Sequence, residues 1–226
     1  WNTEDILDDE DGYYRGEAWY KKTMEIPQIY KNQQVFLFFE GVNQVTSLFV
    51  NGKPVGEDHI GGYTSFARDI TAALKAGKNE IAIKVDNEHN DEIVPQAADF
   101  SFYGGIYRDL HLIITKPVHF DVANLGANAI FIRTPEVSAT SAKVSVESKL
   151  VRPKKGTYYV KQSLFDANNN LVKEVKTKTK FGKDVFSDFS VENPKLWSPD
   201  NPYLYKLITE IVDKKGLIYD RIENPI

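Results

Sequence analysis

The stretch Thr46–Lys53, TSLFVNGK, indicates the fold class more clearly than any other part of the sequence. A short run of β-branched and apolar residues leads directly into Asn51-Gly52. Because Asn-Gly supplies the positive φ angles that a tight type I′ turn requires, the pair predicts a β-hairpin between Val50 and Lys53.

Similar short runs, separated by Gly, Pro or Asn, predict further β-strands in the first half of the chain. The predicted strands are Ala18–Ile26, Val35–Phe39, Thr46–Val50, Asn79–Val85 and Asp109–Ile114. One segment differs. Asp69–Lys75 is predicted to form one or two helical turns, with Asp69 as N-cap and Gly77 just beyond the end.

The strand pattern restarts after Lys116-Pro117. The predicted strands there are Val118–Leu125, Ala129–Arg133, Ala142–Leu150, Thr157–Asp166, Leu171–Lys178, Asp184–Ser190, Leu204–Asp213 and Leu217–Ile222. Lys143–Lys149 (KVSVESK) alternates strictly, as half-buried antiparallel strands do. This density of strands is typical of an immunoglobulin-like sandwich. We therefore predict an all-β protein with domains at residues 1–117 and 118–226.

Composition excludes several classes of function. The 226 residues are 42% hydrophobic and 27% charged, which indicates a globular protein. The absence of Cys excludes disulfide scaffolds, thiol catalysis and cysteine–zinc sites. A net charge of −4 argues against nucleic-acid binding, and no apolar run is long enough for a membrane-spanning helix.

The charge is unevenly distributed along the chain. Residues 1–117 carry 11 basic and 19 acidic side chains, whereas residues 118–226 carry 17 and 13. This shift supports two domains, although solvated surfaces alone also produce such a shift. Because the chain begins at Trp1 without an initiator Met, it is expected to be a piece of a longer product.

Few residues carry an obvious catalytic or metal-binding pattern. The four His residues, at 59, 89, 111 and 119, lack metal-binding spacing, and no nucleophile elbow is present. His111 is predicted to lie on a strand face. Gly61-Gly62 and Gly104-Gly105 indicate tight turns rather than phosphate cradles, since neither pair leads from a strand into a helix.

The segment Asp99–Asp109, DFSFYGGIYRD, is the strongest candidate for a binding site. Aromatic faces can stack on sugar rings, and carboxylates can accept hydrogen bonds from hydroxyl groups. Taken alone, the composition of the segment favours a packed β-corner with an Asp109–Arg108 network over a sugar-contacting loop.

An ordered set of motifs over essentially the whole chain resembles glycoside hydrolase family 2, the β-galactosidase group. In the first half these are Ala18–Lys22 (AWYKK), Phe39–Val42 (FEGV), Val50–Gly56 (VNGKPVG), Gly61–Phe66 (GGYTSF), Val85–Asn87 (VDN) and Tyr103–Asp109 (YGGIYRD). In the second half they are Thr134–Ser138 (TPEVS), Leu196–Tyr205 (LWSPDNPYLY) and Asp220-Arg221.

The resemblance implies a jelly-roll, galactose-binding-like β-sandwich, then an immunoglobulin-like sandwich, then a (β/α)₈ catalytic barrel. It implies that this chain is the N-terminal, non-catalytic part of a β-galactosidase-like hydrolase acting on terminal β-glycosidic bonds of carbohydrates. Family members retain configuration with two carboxylates about 5 Å apart. A barrel needs roughly 250 further residues, so the catalytic glutamates are expected beyond residue 226, and none is assigned within it.

For Asp99 the resemblance implies contacts with the sugar ring and with a bound cation. Asp99 stands ten residues before Asp109, as the sugar-contacting Asp does in that family, whereas Ser101-Phe102 replace the Trp-Arg of the best-known β-galactosidases. The cation, monovalent or divalent, belongs to the full-length enzyme, and the fragment is expected to require no cofactor. The expected partners are a carbohydrate and the C-terminal barrel, in a periplasmic or secreted, homo-oligomeric parent.

Two other functions fit the same strands: a free-standing carbohydrate-binding module, and a structural cell-surface sandwich protein. Within the enzyme hypothesis, galactose, glucuronic acid and mannose all stay open as the sugar. One further expectation concerns packing. Leu196-Trp197 precedes Pro199, and an apolar pair before a proline turn predicts that Trp197 lies inside the second sandwich.

Overall fold

The structure is a computed structural model that describes residues 14–26, 33–94 and 103–226. The chain forms two compact units, Trp1–Ile114 and Thr115–Ile226. In the described ranges no helix has the length and apolar character needed to cross a membrane.

Unit 1 is built from short strands. They are β1 (Glu17–Ile26), β2 (Gln34–Phe39), β3 (Val42–Asn43), β4 (Val45–Val50), β5 (Lys53–Pro54), β6 (His59–Ile60), β7 (Phe66–Asp69), β8 (Gly77–Asp86), β9 (Gly105–Ile106) and β10 (Leu110–Thr115), the last ending one residue into unit 2. One sheet has the order β1-β8-β4-β5, with β6 also paired to β4, and a second has the order β10-β2-β7. A two-stranded ladder joins β3 to β9.

The two larger sheets of unit 1 enclose one hydrophobic core. The buried side chains come from both sheets, from β3 and from the segment after β7: Val35, Leu37, Phe39, Val42, Leu48, Val50, Phe66, Ile70, Ile81, Ile83 and Val85. Phe39 is completely buried, and its ring stacks on Phe66 with the centroids 4.4 Å apart. The arrangement confirms the predicted jelly-roll β-sandwich.

The hairpin predicted at Asn51-Gly52 is confirmed. Val50 pairs with Lys53, and the two turn residues have φ angles of 53° and 77°. These are the positive angles that a type I′ turn requires at both central positions.

The one or two helical turns predicted at Asp69–Lys75 are confirmed only as a single 3₁₀ turn at Thr71–Ala73, and the predicted N-cap at Asp69 is wrong. Ile70 occupies the N-cap position and makes no side-chain capping bond. Asp69 instead ends β7, and its carboxylate accepts a hydrogen bond from the backbone N–H of Thr71 at 2.9 Å. Short side-chain-to-backbone bonds of this kind favour a turn over a longer helix.

Unit 2 continues the antiparallel pattern with longer strands. They are β11 (His119–Phe120), β12 (Ile130–Val137), β13 (Ser141–Ser148), β14 (Leu150–Val151), β15 (Tyr158–Phe165), β16 (Leu171–Lys178), β17 (Val185–Glu192), β18 (Lys206–Asp213) and β19 (Ile218–Pro225). A sheet of order β12-β13-β17 faces one of order β16-β15-β18-β19. This three-plus-four arrangement confirms the immunoglobulin-like sandwich.

The core of unit 2 confirms the alternation predicted for Lys143–Lys149. Val144 and Val146 of β13 point inward, and Phe189 and Val191 of β17 lie buried beside them. Leu207 of β18 is among the core residues that the facing sheet supplies. The polar residues between these positions stay at the surface, as period-two patterning requires.

The strand predicted at Val118–Leu125 is wrong over most of its length, because only His119–Phe120 is extended. Asp121 starts a turn. Its carboxylate accepts a hydrogen bond from the N–H of Ala123 at 3.1 Å, and its backbone oxygen accepts one from Asn124 at 3.2 Å. Asp at the first position of a turn overrides the strand preference of the neighbouring Val and Leu residues.

The predicted burial of Trp197 is also wrong, because its side chain is 59% exposed. The segment between β17 and β18 adds no strand to either sheet; Ser198 and Asn201 instead close a tight turn with two backbone hydrogen bonds of 3.0 Å. The turn is therefore held by its own hydrogen bonds and not by insertion of the indole into the core.

Candidate functional site

Three chain segments of unit 1 converge beside the β3–β9 ladder. Asn43, at the end of β3, pairs with Gly105 of β9, and its side-chain amide donates a hydrogen bond to the backbone oxygen of Tyr103 at 2.7 Å. The N–H of Gly61 donates to the oxygen of Gln44 at 3.0 Å. We refer to residues 43–44, 61–65 and 103–107 together as the loop cluster.

Two buried asparagines lie beneath glycines of this loop cluster. A Cβ atom on Gly62 would approach Asn43 Oδ1 to 2.5 Å, and one on Gly104 would approach Asn87 Nδ2 to 2.3 Å. Asn87 is 1% exposed; it accepts a hydrogen bond from the N–H of Gly16 at 2.9 Å and donates one to the oxygen of Tyr14 at 3.1 Å. Only glycine fits at positions 62 and 104 without displacing these amides.

The tight turns predicted at the two glycine pairs do not form: Gly105 is the first residue of β9, and Gly61-Gly62 follows β6 as a bend rather than a turn. Gly61 and Gly105 have φ angles of 126° and 86°, which side-chain-bearing residues rarely adopt. Each pair therefore combines one glycine needed for its backbone angle with one needed for close packing on an asparagine.

The loop cluster contains two exposed tyrosines, Tyr63 and Tyr103, and the half-buried Tyr107. Tyr63 is 45% and Tyr103 63% exposed, and the rings of Tyr63 and Tyr107 lie 6.4 Å apart. The Tyr107 hydroxyl donates to the backbone oxygen of Gly62 at 2.5 Å, which ties two segments of the cluster together. Accessible tyrosine faces on a fixed backbone are suited to stacking against a sugar ring.

The alternative of an Asp109–Arg108 network is not what the structure contains. The Arg108 guanidinium lies over the Tyr107 ring, 5.3 Å from its centroid, and the two residues form no ion pair within the described ranges. The backbone oxygen of Asp109 accepts a hydrogen bond from the N–H of Glu40 at 3.1 Å. Arg108 and Asp109 are therefore held by a ring contact and a backbone hydrogen bond, respectively.

Glu40, Asp109 and His111 bring three ligand-type atoms within 4.8 Å of one another at adjoining ends of β2 and β10. His111 Nε2 lies 2.8 Å from Glu40 Oε1. One imidazole and two carboxylates could hold a divalent cation. The same contacts equally describe an exposed hydrogen-bonded group, and His111 lies on a strand face as predicted.

His59 packs as an aromatic residue beside the loop cluster. Its ring stacks on Phe66 with the centroids 3.7 Å apart. Burial, and secondarily the Arg68 guanidinium, hold the pKa of His59 below its usual range. The imidazole is therefore neutral at pH 7 and adds no charge to the neighbouring loops.

Two family models account for nearly the whole chain. The model described as "Glycosyl hydrolases family 2, sugar binding domain" matches residues 6–117, and the model "Glycosyl hydrolases family 2" matches residues 128–226. The chain belongs to glycoside hydrolase family 2. The predicted resemblance is confirmed, including the order of the two domains.

Relatives of this family 2 chain include both β-glucuronidases and β-galactosidases. A Bacteroides fragilis β-glucuronidase is 32% identical over 100% of the chain, and a Thermoanaerobacter pseudethanolicus β-galactosidase is 29% identical over 91%. The crystal structure of a Bacteroides uniformis β-glucuronidase superposes on the whole chain with a TM-score of 0.90 at 32% identity. The chain spans 33%, 27% and 27% of these three proteins.

Asp99, the predicted sugar- and cation-binding residue of this family 2 chain, lies outside the described residues. Tyr103, four residues further on, is the first described residue after it and is held by Asn43. Sequence reasoning assigned no role to Asn43 or Asn87, because their packing on glycines depends on contacts between segments distant in sequence. The only available signal was the presence of Asn87 in the VDN motif.

Proposed function

We propose that this chain is the N-terminal, non-catalytic part of a retaining β-glycosidase that removes terminal β-linked sugars. One observation carries the proposal: the sugar-binding and second-domain models of family 2 follow each other over 6–117 and 128–226. The matched relatives are three to four times longer than the chain, which leaves room for a catalytic barrel.

In the proposed enzyme the two units supply binding surface and not reacting groups. Retaining hydrolysis requires a carboxylic acid that protonates the leaving oxygen and a carboxylate that forms the glycosyl-enzyme intermediate. Both are proposed to lie in the barrel. The tyrosines and the fixed backbone of the loop cluster then border the sugar pocket from the side of unit 1.

The sugar is proposed to be a terminal β-galactoside or β-glucuronide, the two kinds of substrate named for the relatives. The test compares residues 1–226 with the polypeptide encoded by the complete reading frame on p-nitrophenyl β-galactoside and β-glucuronide. We expect turnover by the longer protein alone, since residues 1–226 lack the catalytic carboxylates.

Two results would overturn this function. One is turnover by residues 1–226 that a substitution within them abolishes. The other is a reading frame that encodes no barrel with two suitably placed glutamates, together with tight sugar binding by residues 1–226. The second result would indicate a free-standing carbohydrate-binding module.

Asp99 is proposed to contact the sugar, and a cation beside it, only in the complete enzyme. Asp99→Ala is expected to lower kcat/KM about tenfold or more, because a hydrogen bond to a charged group contributes roughly 1.5–3 kcal/mol. If the cation role holds, the variant also requires more Na⁺ or Mg²⁺ for half-maximal activity. Steady-state kinetics over a cation titration measure both effects.

Glu80→Ala serves as the control, because Glu80 is an exposed carboxylate of β8 in the same unit. The thermal midpoints of the wild-type protein and of both variants show whether a loss of activity comes from weaker binding or from lower stability. Normal kinetics with a lowered midpoint for Asp99→Ala would make Asp99 a structural turn residue and contradict the proposed role.

A further inference from the structure

The adjoining ends of β2 and β10 carry a group of side chains that the proposed function does not use. Glu40 directly follows β2, Asp109 directly precedes β10, and His111 is the second residue of β10. We call these three residues the β2–β10 triad. One ligand-type atom of each lies within 4.8 Å of the other two, and within residues 14–26, 33–94 and 103–226 no other three His or carboxylate side chains meet in this way.

The backbone places the β2–β10 triad independently of its side chains. The N–H of Glu40 donates to the backbone oxygen of Asp109 at 3.1 Å, so the strand ends hold these two residues side by side. The His111 ring lies 6.3 Å from the ring of Phe38, a residue of the neighbouring strand β2. A site assembled by strand pairing loses less conformational entropy when an ion binds.

The two carboxylates of the β2–β10 triad lack a cationic partner in the described part of the chain. Arg108, the nearest arginine in sequence, lies over the Tyr107 ring instead. No Lys or Arg of the described residues forms an ion pair with Glu40 or Asp109, and the Asp109 carboxylate accepts no hydrogen bond from them. Carboxylates this close repel each other, and a bound cation turns that repulsion into attraction.

The donor atoms and their spacing suit Zn²⁺. Zinc binds imidazole nitrogen and carboxylate oxygen at about 2.0–2.2 Å in tetrahedral geometry, which separates neighbouring ligand atoms by about 3.3–3.6 Å. His111 Nε2 lies 2.8 Å from Glu40 Oε1, and no pair of ligand atoms is more than 4.8 Å apart. The required separation falls between these values, so small side-chain rotations complete the site. Ca²⁺ and Mg²⁺ instead require about six or more oxygen ligands.

We propose that the β2–β10 triad binds a divalent transition-metal ion, with Zn²⁺ as the best-matched ion. The ion takes the position of the proton between His111 Nε2 and Glu40 Oε1, and the imidazole then carries its proton on Nδ1. Asp109 supplies the third ligand and water the fourth. The inference does not depend on the proposed function, and the site is built from residues other than Asp99.

The ion has a structural role in this proposal. It joins the end of β2 to the start of β10, next to the loop cluster. Gly41 follows Glu40 and packs so closely on Tyr107 that a Cβ atom would lie 2.8 Å from the Tyr107 hydroxyl oxygen. That hydroxyl donates to the backbone oxygen of Gly62. Metal binding therefore stabilises unit 1 and the backbone that carries Tyr107.

The competing explanation is that Glu40 and His111 form a surface hydrogen bond and nothing more. A second pair in the chain provides the matched control. His89 Nε2 lies 2.9 Å from Asp91 Oδ1, and both side chains are exposed. No third His or carboxylate of the described residues completes that pair. His89→Ala thus removes an equally accessible imidazole–carboxylate pair without touching the triad.

The test is isothermal titration calorimetry of residues 1–226, free of tags and metal, with ZnCl₂. We expect one saturable site in the wild type and in His89→Ala. His111→Ala, Glu40→Gln and Asp109→Asn should each weaken binding about tenfold or more, because losing even a group behind a metal ligand costs about 10–100-fold. Glu40→Gln is the sharpest variant, since its amide oxygen still accepts a hydrogen bond from His111 but an amide is not a usual zinc ligand.

Thermal unfolding gives a second readout. Zn²⁺ at about a hundred times its Kd should raise the Tm of unit 1 by about 5 °C or more in the wild type and in His89→Ala. The three triad variants should not show this rise. Without metal their Tm values should stay within about 2 °C of the wild type, because the substituted side chains lie largely at the surface.

Four results would each overturn the inference. The first is a wild-type chain without saturable Zn²⁺ binding, and the second is equal weakening by His89→Ala and His111→Ala. The third is undiminished binding by Asp109→Asn, which would leave a hydrogen-bonded pair and no triad. The fourth is tighter binding of Ca²⁺ than of Zn²⁺, which would indicate an oxygen-ligand site. Anomalous diffraction at the zinc edge, from crystals grown with ZnCl₂, should place the ion between Glu40, Asp109 and His111, and a peak elsewhere alone would contradict the site.

Discussion

Phe39→Ala is expected to lower the free energy of unfolding of unit 1 by about 3–5 kcal/mol, the usual cost of removing a buried aromatic ring. Phe39 has no exposed surface, and it stacks on Phe66 in the middle of the jelly-roll core. The interior cannot collapse fully around the deleted ring, so a cavity adds to the lost transfer free energy. Urea denaturation followed by circular dichroism measures the change.

Phe186→Ala is the matched control for this experiment, because it deletes the same atoms from a largely exposed position. Its free energy of unfolding should change by no more than about 0.5 kcal/mol. Since the two units can unfold separately, each transition must be fitted on its own. A Phe39→Ala protein with an unchanged first-unit transition would show that this core is not packed as described.

Local patterns predicted the strands well where a single segment contains all the information. Asn51-Gly52 specifies its own turn, and the alternation of Lys143–Lys149 specifies which side of β13 is buried. Period-two patterning and turn chemistry act over a few residues. Local patterns therefore predicted the strands and the immunoglobulin-like sandwich, whereas the jelly-roll arrangement of unit 1 was implied by the family resemblance.

Prediction failed where neighbouring signals compete. At Val118–Leu125 the apolar residues favoured a strand, but the Asp121 carboxylate accepts a hydrogen bond from the N–H of Ala123 and its backbone oxygen accepts one from the N–H of Asn124, so a turn forms there. The predicted burial of Trp197 was wrong for a different reason. Hydrophobicity favours burial of a side chain, but a folded protein also keeps many apolar side chains at its surface, so hydrophobicity alone does not place Trp197 in the core.

At the candidate site, too, local sequence patterns predicted only part of the structure. The sequence predicted tight turns at Gly61-Gly62 and Gly104-Gly105; the positive φ angles of Gly61 and Gly105 show why glycine is needed at these positions, but Gly105 lies in β9 and not in a turn. It could not reveal that Gly62 and Gly104 rest on buried amides from other strands. That information lies in tertiary packing. In each pair one glycine is needed for its positive φ angle, and the other is needed because a side chain would clash with an asparagine.

Gly104→Ala is expected to destabilise unit 1 by about 3 kcal/mol, because its Cβ would lie 2.3 Å from Asn87 Nδ2. Asn87 would have to move, and its bonds to the Gly16 N–H and the Tyr14 oxygen would be lost. Overpacking and unsatisfied buried polar groups each cost about 1–3 kcal/mol. Thermal and urea unfolding of the variant measure the total loss in free energy of unfolding.

A double-mutant cycle with Asn87→Ala identifies the cause. Asn87→Ala alone removes the two hydrogen bonds and is expected to be destabilising by itself. In that background Gly104→Ala should cost less than it does alone, because the amide that its Cβ would meet at 2.3 Å is gone and the remaining contact, with the Cβ of residue 87 at 3.2 Å, needs a shift of only a few tenths of an ångström. Strong non-additivity is thus the expected result, since the two substitutions disrupt one contact. If the two losses in free energy of unfolding were additive, Gly104 would be required for some reason other than its packing on Asn87. Packing on Asn87 would then be the wrong explanation for the glycine at this position of the loop cluster.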